Sequence, residues 1–190
     1  MIDIVLASSS PRRFELLRQL GVPFQVILPE TDESLIEESP VRVVAELSRR
    51  KAADVAQRSP VSLVIAADTV VYCDRILGKP KDETDAAEML RILSGRSHSV
   101  YSGVSVALGK KIRTEICRTE VVFRSLSLEE IRAYLKTGEG SDKAGAYGIQ
   151  GKGSLFVDRI DGDYFNVVGL PLRTLYGMLS EFGVDLLKLS

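Results

Sequence analysis

The chain is 190 residues long, with 45% hydrophobic and 27% charged side chains and a formal net charge of −1 from 25 basic and 26 acidic groups. That is the mix of an ordinary globular protein, large enough to bury roughly 70% of its unfolded surface, and it excludes disorder, collagen and coiled coil. The charge balance lacks the basic excess of a generic DNA or RNA binder, so no nucleic-acid polymer is expected as a partner.

Residues 2–6 read as a short apolar strand. Residues 11–20 read as a helix, with Ser10 as N-cap, Pro11 at the first helical position and Gly21 beyond the end; Phe14, Leu17 and Leu20 then share a face. A second strand is expected over 22–28 and an acidic loop over 31–39. Ser39-Pro40 opens a second helix, on which Val44, Leu47, Lys51 and Val55 fall on neighbouring turns. Residues 62–72 are a near-continuous Val- and Ile-rich run, the pattern of a central strand buried on both faces. Thr84 is positioned to cap a helix ending at Leu93, before Gly95. Residues 99–108 and 112–124 form two long strands joined through Gly109-Lys110-Lys111, a hairpin signal. Ser127-Leu128-Glu129-Glu130 is a capping box. Residues 138–153 hold six glycines in sixteen positions, a long loop of the kind that carries function. A strand over 155–160 and a helix over 171–182 complete the chain. Interleaved helices and strands, with no linker between them, predict one α/β domain over 1–190 with a mixed sheet.

Cys73 and Cys117 stand 44 residues apart without a CxxC, so neither a disulfide framework nor a zinc site is indicated. The first residues lack the features of a signal peptide, and no apolar run approaches the roughly 20 residues that cross a bilayer. A cytoplasmic protein without a membrane partner is expected.

Chemistry concentrates in a few stretches. Ser8-Ser9-Ser10-Pro11-Arg12-Arg13 places two arginines at a helix N-terminus, which disfavours each cation by several tenths of a kcal/mol. An incoming phosphate would satisfy the arginines, the hydroxyls and the helix N–H groups together; the alternative is that the arginines meet solvent, Asp32 or Glu33. Asp68 lies within Val64-Ile65-Ala66-Ala67-Asp68-Thr69, where an unpaired carboxylate is costly. It must shift its pKa, pair with a base, hold a metal or bond a loop backbone; Asp32, Glu33 and Asp68 could together supply a Mg²⁺ site. Lys51 interrupts an apolar helical stripe, so it either snorkels or meets an anion, and Lys79 stands on a turn before Pro80. The segment from Asp142 to Gly153 fails the Walker spacing; it suits either a flexible surface loop or a wall over a ligand, with the Gln150 amide on offer. His98 is the only histidine and has no GxSxG nucleophile, so a structural hydrogen bond is expected of it. Hydrolysis would then use a carboxylate or metal-activated water.

Taken together, Ser8-Ser9-Ser10-Pro11-Arg12-Arg13, Ala67-Asp68-Thr69, Gly78-Lys79-Pro80, Ser94-Gly95-Arg96-Ser97-His98, the run from Asp142 to Gly151 and Gly169-Leu170-Pro171 resemble the Maf family of nucleoside triphosphate pyrophosphatases over essentially the whole chain. The resemblance implies an α/β/α fold with two lobes around a cleft, commonly dimeric, and hydrolysis of a nucleoside triphosphate to the monophosphate and pyrophosphate with a divalent metal cation, Mg²⁺ or Mn²⁺. It implies Asp68 as proton acceptor; Ser8, Arg13, Lys51 and Lys79 as triphosphate ligands; Glu33 beside Asp68 near the metal; and Arg12, Thr69 and Gln150 as the residues that sort the base. That last set resembles the dTTP/UTP branch; the branch acting on 7-methyl-GTP has Trp in place of Arg12, and this chain has no Trp. The donor-only Arg12 favours the O4 acceptor of thymine or uracil over the N4 donor of cytosine; an amide that can rotate, as in Gln150, discriminates less. The rival reading is a nucleotide-binding regulator of septum formation without turnover, which would release no pyrophosphate.

Overall fold

Leu63–Cys73, the longest apolar run of the sequence, forms a strand through the middle of a seven-stranded mixed sheet. The structure, a computed structural model, describes residues 2–32 and 39–188. In chain order the elements are β1 (Ile4–Leu6), α1 (Pro11–Gln19), β2 (Gln25–Val26), α2 (Pro40–Arg58), β3 (Leu63–Cys73), β4 (Arg75–Leu77), α3 (Glu83–Leu93), β5 (Ser97–Leu108), β6 (Lys111–Phe123), α4 (Leu128–Leu135), β7 (Val157–Asp161), α5 (Tyr164–Val168) and α6 (Leu172–Glu181). The sheet order is β2-β1-β3-β5-β6-β7, with β4 also paired to β3. β1 pairs in parallel with β2 and β3; the other pairings are antiparallel.

Side chains alternate across β3. Val64, Ala66 and Val70 pack under α2, against Val55, Ala52 and Val44. Ile65, Ala67 and Val71 face the larger core, which takes Leu16 and Leu17 from α1, Leu90 from α3 and Leu175 from α6. This is the expected three-layer α/β arrangement. The hairpin also forms as expected: Leu108 pairs with Lys111, and Gly109 adopts φ +56° between them.

Four local expectations change. α1 buries Leu16 and Leu17, while Phe14 and Leu20 stay 39% and 38% exposed; periodicity gives a stripe, but its rotation is set by where the helix meets β1 and β3. The strand expected over 22–28 contracts to Gln25–Val26, an edge pairing with exposed side chains. α3 is capped by Asp82, whose carboxylate accepts from the Asp85 N–H at 2.8 Å, rather than by Thr84. β4 and α5 were not expected at all; each is short and has no periodicity of its own.

α2 lies very close to the sheet at Gly103 of β5, where a Cβ would stand 2.1 Å from the Val44 carbonyl oxygen. Only glycine permits that approach. Ser48, one turn on, accepts at 3.0 Å from Ser105 Oγ, and Lys51 follows on the same face of the helix. Gly103→Ala is expected to push α2 off the sheet and destabilise the protein by about 1–3 kcal/mol, the usual cost of overpacking, with a matching drop in the urea midpoint. An unchanged midpoint would show that α2 is free to shift.

Candidate active site

On the edge of β3 away from β5, β1 pairs only as far as Ile65 and β4 begins only at Val71. Asp68 and Thr69 lie in the interval, held on one side by Gly103 and Ser102 of β5 and without a strand partner on the other. A cleft of about 790 Å³ opens there. Because strand side chains alternate, Asp68 points to the α2 side and Thr69 to the opposite side, and the cleft reaches both round the open edge.

Lys51 donates from Nζ to Asp68 Oδ1 at 2.7 Å, with the two side chains only 8% and 12% exposed. Of the alternatives open for these residues, pairing is therefore realised for both. On the other face, Arg13 donates through Nε to the Gly169 carbonyl (2.8 Å), through Nη1 to Ser8 Oγ (3.2 Å) and through Nη2 to Thr69 Oγ1 (3.1 Å). Thr69 and Ser102 share a hydroxyl hydrogen bond of 2.8 Å, and Ser102 donates to the Asn166 carbonyl at 3.3 Å. Asn166, wholly buried, donates from Nδ2 to the Val100 carbonyl and to Thr119 Oγ1, both at 3.0 Å. Sequence reading missed Asn166; its one signal is an amide inside the apolar run Tyr164-Phe165-Asn166-Val167-Val168.

Ser8, Arg12, Arg13, Lys51 and Asp68 all line the cleft, as do Thr69, Lys79 and Gln150. Ser10 occupies the N-cap of α1 but makes no capping bond with its side chain; its N–H donates to Ser8 Oγ at 3.2 Å. Arg12 pairs across the cleft mouth with Asp142 at 3.1 Å, and Asp142 also takes Lys143 at 2.6 Å. Burial pushes the Asp142 carboxyl up, but Lys143 and Arg12 outweigh it and hold it below its ordinary value. The Gly145 N–H donates to the Gly78 carbonyl at 3.1 Å, which ties the turn carrying Lys79 to the glycine-rich wall. That segment is therefore a wall and not a loose surface loop. Glu33 lies outside the described residues. Asp32 does not line the cleft, and among the described residues no three His, Cys, Asp or Glu side chains gather as a metal site; the expected arrangement of Asp32, Glu33 and Asp68 lies partly outside those residues.

The Maf-like protein family model matches residues 3–182. The chain belongs to the Maf family. Proteins named dTTP/UTP pyrophosphatase from Bacillus cereus and Bacillus thuringiensis subsp. konkukian are each 50% identical over 187 residues, covering 97% of this chain and 98% of theirs. Among solved structures, a HAM1 protein from Coxiella burnetii matches with TM-score 0.53 at 15% identity, covering 95% of this chain and all of that one. The Staphylococcus aureus Ham1 protein matches with TM-score 0.53 at 14% identity, covering 95% of this chain and 99% of that one. At such identities the likeness is one of fold.

In this Maf-family chain His98 has the structural role expected of it. It is buried behind the wall, with Nε2 bonded to Tyr147 Oη at 2.9 Å and its ring edge-on to Phe123 at 4.8 Å. Burial pushes its pKa down to about 4. The unfolded chain binds a proton near pH 6.5, where the folded one does not. Folding stability is therefore complete above that pH and falls as pH drops from 6.5 to 4, by about 3 kcal/mol in total. Glu46 and Glu130, held near 2 in the fold by Arg49 and Arg124 respectively, take up protons in the unfolded chain around pH 4.5 and add their own slope only below about pH 5. Urea melts of the protein and of His98→Gln across pH 5–7 are expected to show the His98 slope in the first and its loss in the second. Equal slopes would exclude His98 as its source.

Proposed function

We propose that this protein hydrolyses dTTP and UTP to the nucleoside monophosphate and pyrophosphate, with residues 1–190 acting as one catalytic domain. The observation that carries the reading is the cleft itself: a buried carboxylate, Asp68, and a cluster of cations, Arg13, Lys51 and Lys79, line one hollow at the open edge of β3. The dTTP/UTP pyrophosphatases that match it at 50% identity over nearly their full length support the substrate class.

Water attacks the α-phosphorus in line with the bridging oxygen to the β-phosphate. Asp68 accepts the proton of the attacking water, and the electron pair of the breaking P–O bond leaves with pyrophosphate. Lys51 serves two ends: its ammonium donates to Asp68 at 2.7 Å, and the same positive charge attracts the phosphates. Arg13, held by Gly169 and Thr69, acts with Ser8 and the N-terminus of α1 on the phosphate oxygens, and Lys79 approaches from the opposite wall. Positioning and charge neutralisation account for most of the rate. Arg12 and Gln150 at the mouth read the base, and Thr69 fixes the register of Arg13 beneath it.

A divalent cation suits this donor set in one mode. Mg²⁺ is often held by one or two carboxylates with substrate phosphates and waters as its other ligands, and Asp68 is such a carboxylate facing a phosphate cleft. Asp68, with Glu33, would hold it; when bound, it would neutralise phosphate charge and favour ionisation of water. Cys73 and Cys117 are free thiols, in keeping with a reducing cytoplasm, and among the described residues no helix is long and apolar enough to cross a membrane.

Asp68→Asn is expected to lower turnover of UTP at least about a hundredfold, read as pyrophosphate release, with the circular dichroism spectrum unchanged; near-normal turnover would remove Asp68 from the role of base. Arg12→Ala is expected to lower the kcat/KM preference for UTP over CTP by about tenfold, within the range of one good donor–acceptor pair. A preserved preference would place base reading elsewhere.

A further inference from the structure

A carboxylate beside a cleft for a polyanion repels its ligand, and Glu139 is one: it is half-buried and lines the cleft. Its contacts account for its presence. Glu139 Oε1 accepts from Tyr134 Oη at 3.0 Å and from the Gly153 N–H at 3.0 Å, and Oε2 accepts from the Lys152 N–H at 2.8 Å. Tyr134 Oη in turn accepts from the Gly148 N–H at 3.0 Å. Both ends of segment 148–153 are therefore gathered by one carboxylate and one phenol, and Gln150 stands exposed between them on the cleft wall. The backbone closes tightly on this anion: a Cβ at Gly151 would stand 2.4 Å from Glu139 Oε2. Successive N–H groups curled round an anion form a nest, and here the chain supplies its own anion. The backbone donors, with help from Tyr134 and Lys143, outweigh burial and hold the Glu139 carboxyl below its ordinary value, so it is ionised at neutral pH.

We propose that Glu139 is a positioning residue for base selection: it sets the curve of segment 148–153 and thereby aims the Gln150 amide at the base. This rests on the reading that Gln150 meets the base. A carboxylate is needed because its two oxygens both accept. An amide of the same shape turns a donor against one of the backbone N–H groups and unseats the segment.

The test compares kcat/KM for dTTP and dCTP in the full chain, in Glu139→Gln, in Gln150→Ala and in the double variant. Inhibition by inorganic tripolyphosphate, which has the phosphates and no base, is measured alongside. Expected are a loss of dTTP preference of about fivefold or more in each single variant, no further loss in the double variant, as for residues acting through one another, and a tripolyphosphate inhibition constant within about twofold of the parent. Unchanged preference in Glu139→Gln, additive losses, or an inhibition constant that rises in step with the loss overturns the proposal. If Gln150→Ala alone leaves preference unchanged while turnover persists, the base-reading role of Gln150 falls and this inference with it; if Gln150→Ala acts and Glu139→Gln does not, only the inference falls. Should Glu139→Gln not fold, Tyr134→Phe carries the same test. It keeps the ring against Phe156, 4.9 Å between centroids, and removes only the hydroxyl that links Glu139 to Gly148. A smaller loss in the same direction supports the proposal, and an intact preference overturns it.

Discussion

A charged side chain on the most apolar strand of the molecule survives there because Lys51 meets Asp68 at 2.7 Å. Removing either ion from water costs several kcal/mol, and only close pairing with good geometry offsets it. Much of the architecture serves that contact. α2 is drawn onto the sheet at Gly103, where no side chain intervenes. Ser48, Ser105 and Thr114 pass hydroxyl hydrogen bonds beneath it, and the apolar positions Val44, Leu47 and Val55 keep the lysine face inward. A pair held this way yields little net stability, so its value lies in holding a carboxylate at a defined place.

The second constraint is geometric. Adjacent residues of a strand face opposite sides of a sheet, so Asp68 and Thr69 could share a ligand only at an edge. β1 is too short to cover that edge and β4 begins too late. The result is a gap in which a carboxylate from one face and an arginine-linked hydroxyl from the other border the same hollow. The chain Arg13–Thr69–Ser102–Asn166 then ties the N-terminus of α1 to α5, across the sheet. The Thr69 side of the cleft is thereby braced, and a polyanion entering it meets cations already held in position.

Legibility differed between parts of the molecule for physical reasons. β3, the β5–β6 hairpin and the capping box of α4, with both reciprocal bonds in place, depend on interactions between near neighbours, and such patterns are carried by the residues themselves. β4 and α5 are a few residues long and exist because of what they pack against. The pairing of Arg12 with Asp142 spans 130 positions and passes over an exposed rim, so nothing local announces it. Glu139 was silent as well. In sequence it is one more acidic residue after a helix, and its meaning comes from a loop that folds back on it from more than ten residues away.

The order of residues alone determined the chemistry available: two arginines at an unfavourable helix terminus, one acid in an apolar strand, a lysine on an apolar helical stripe and a glycine-rich run ending near an amide. These are local misfits between charge and setting, and each demands a partner whatever the fold. Which partner each one meets was decided by tertiary structure. Lys51 could have snorkelled, Asp68 could have capped a loop and Arg12 could have met another acid; the close approach of α2 and the open edge of β3 selected among these outcomes, because they depend on distances between segments that sequence spacing does not encode.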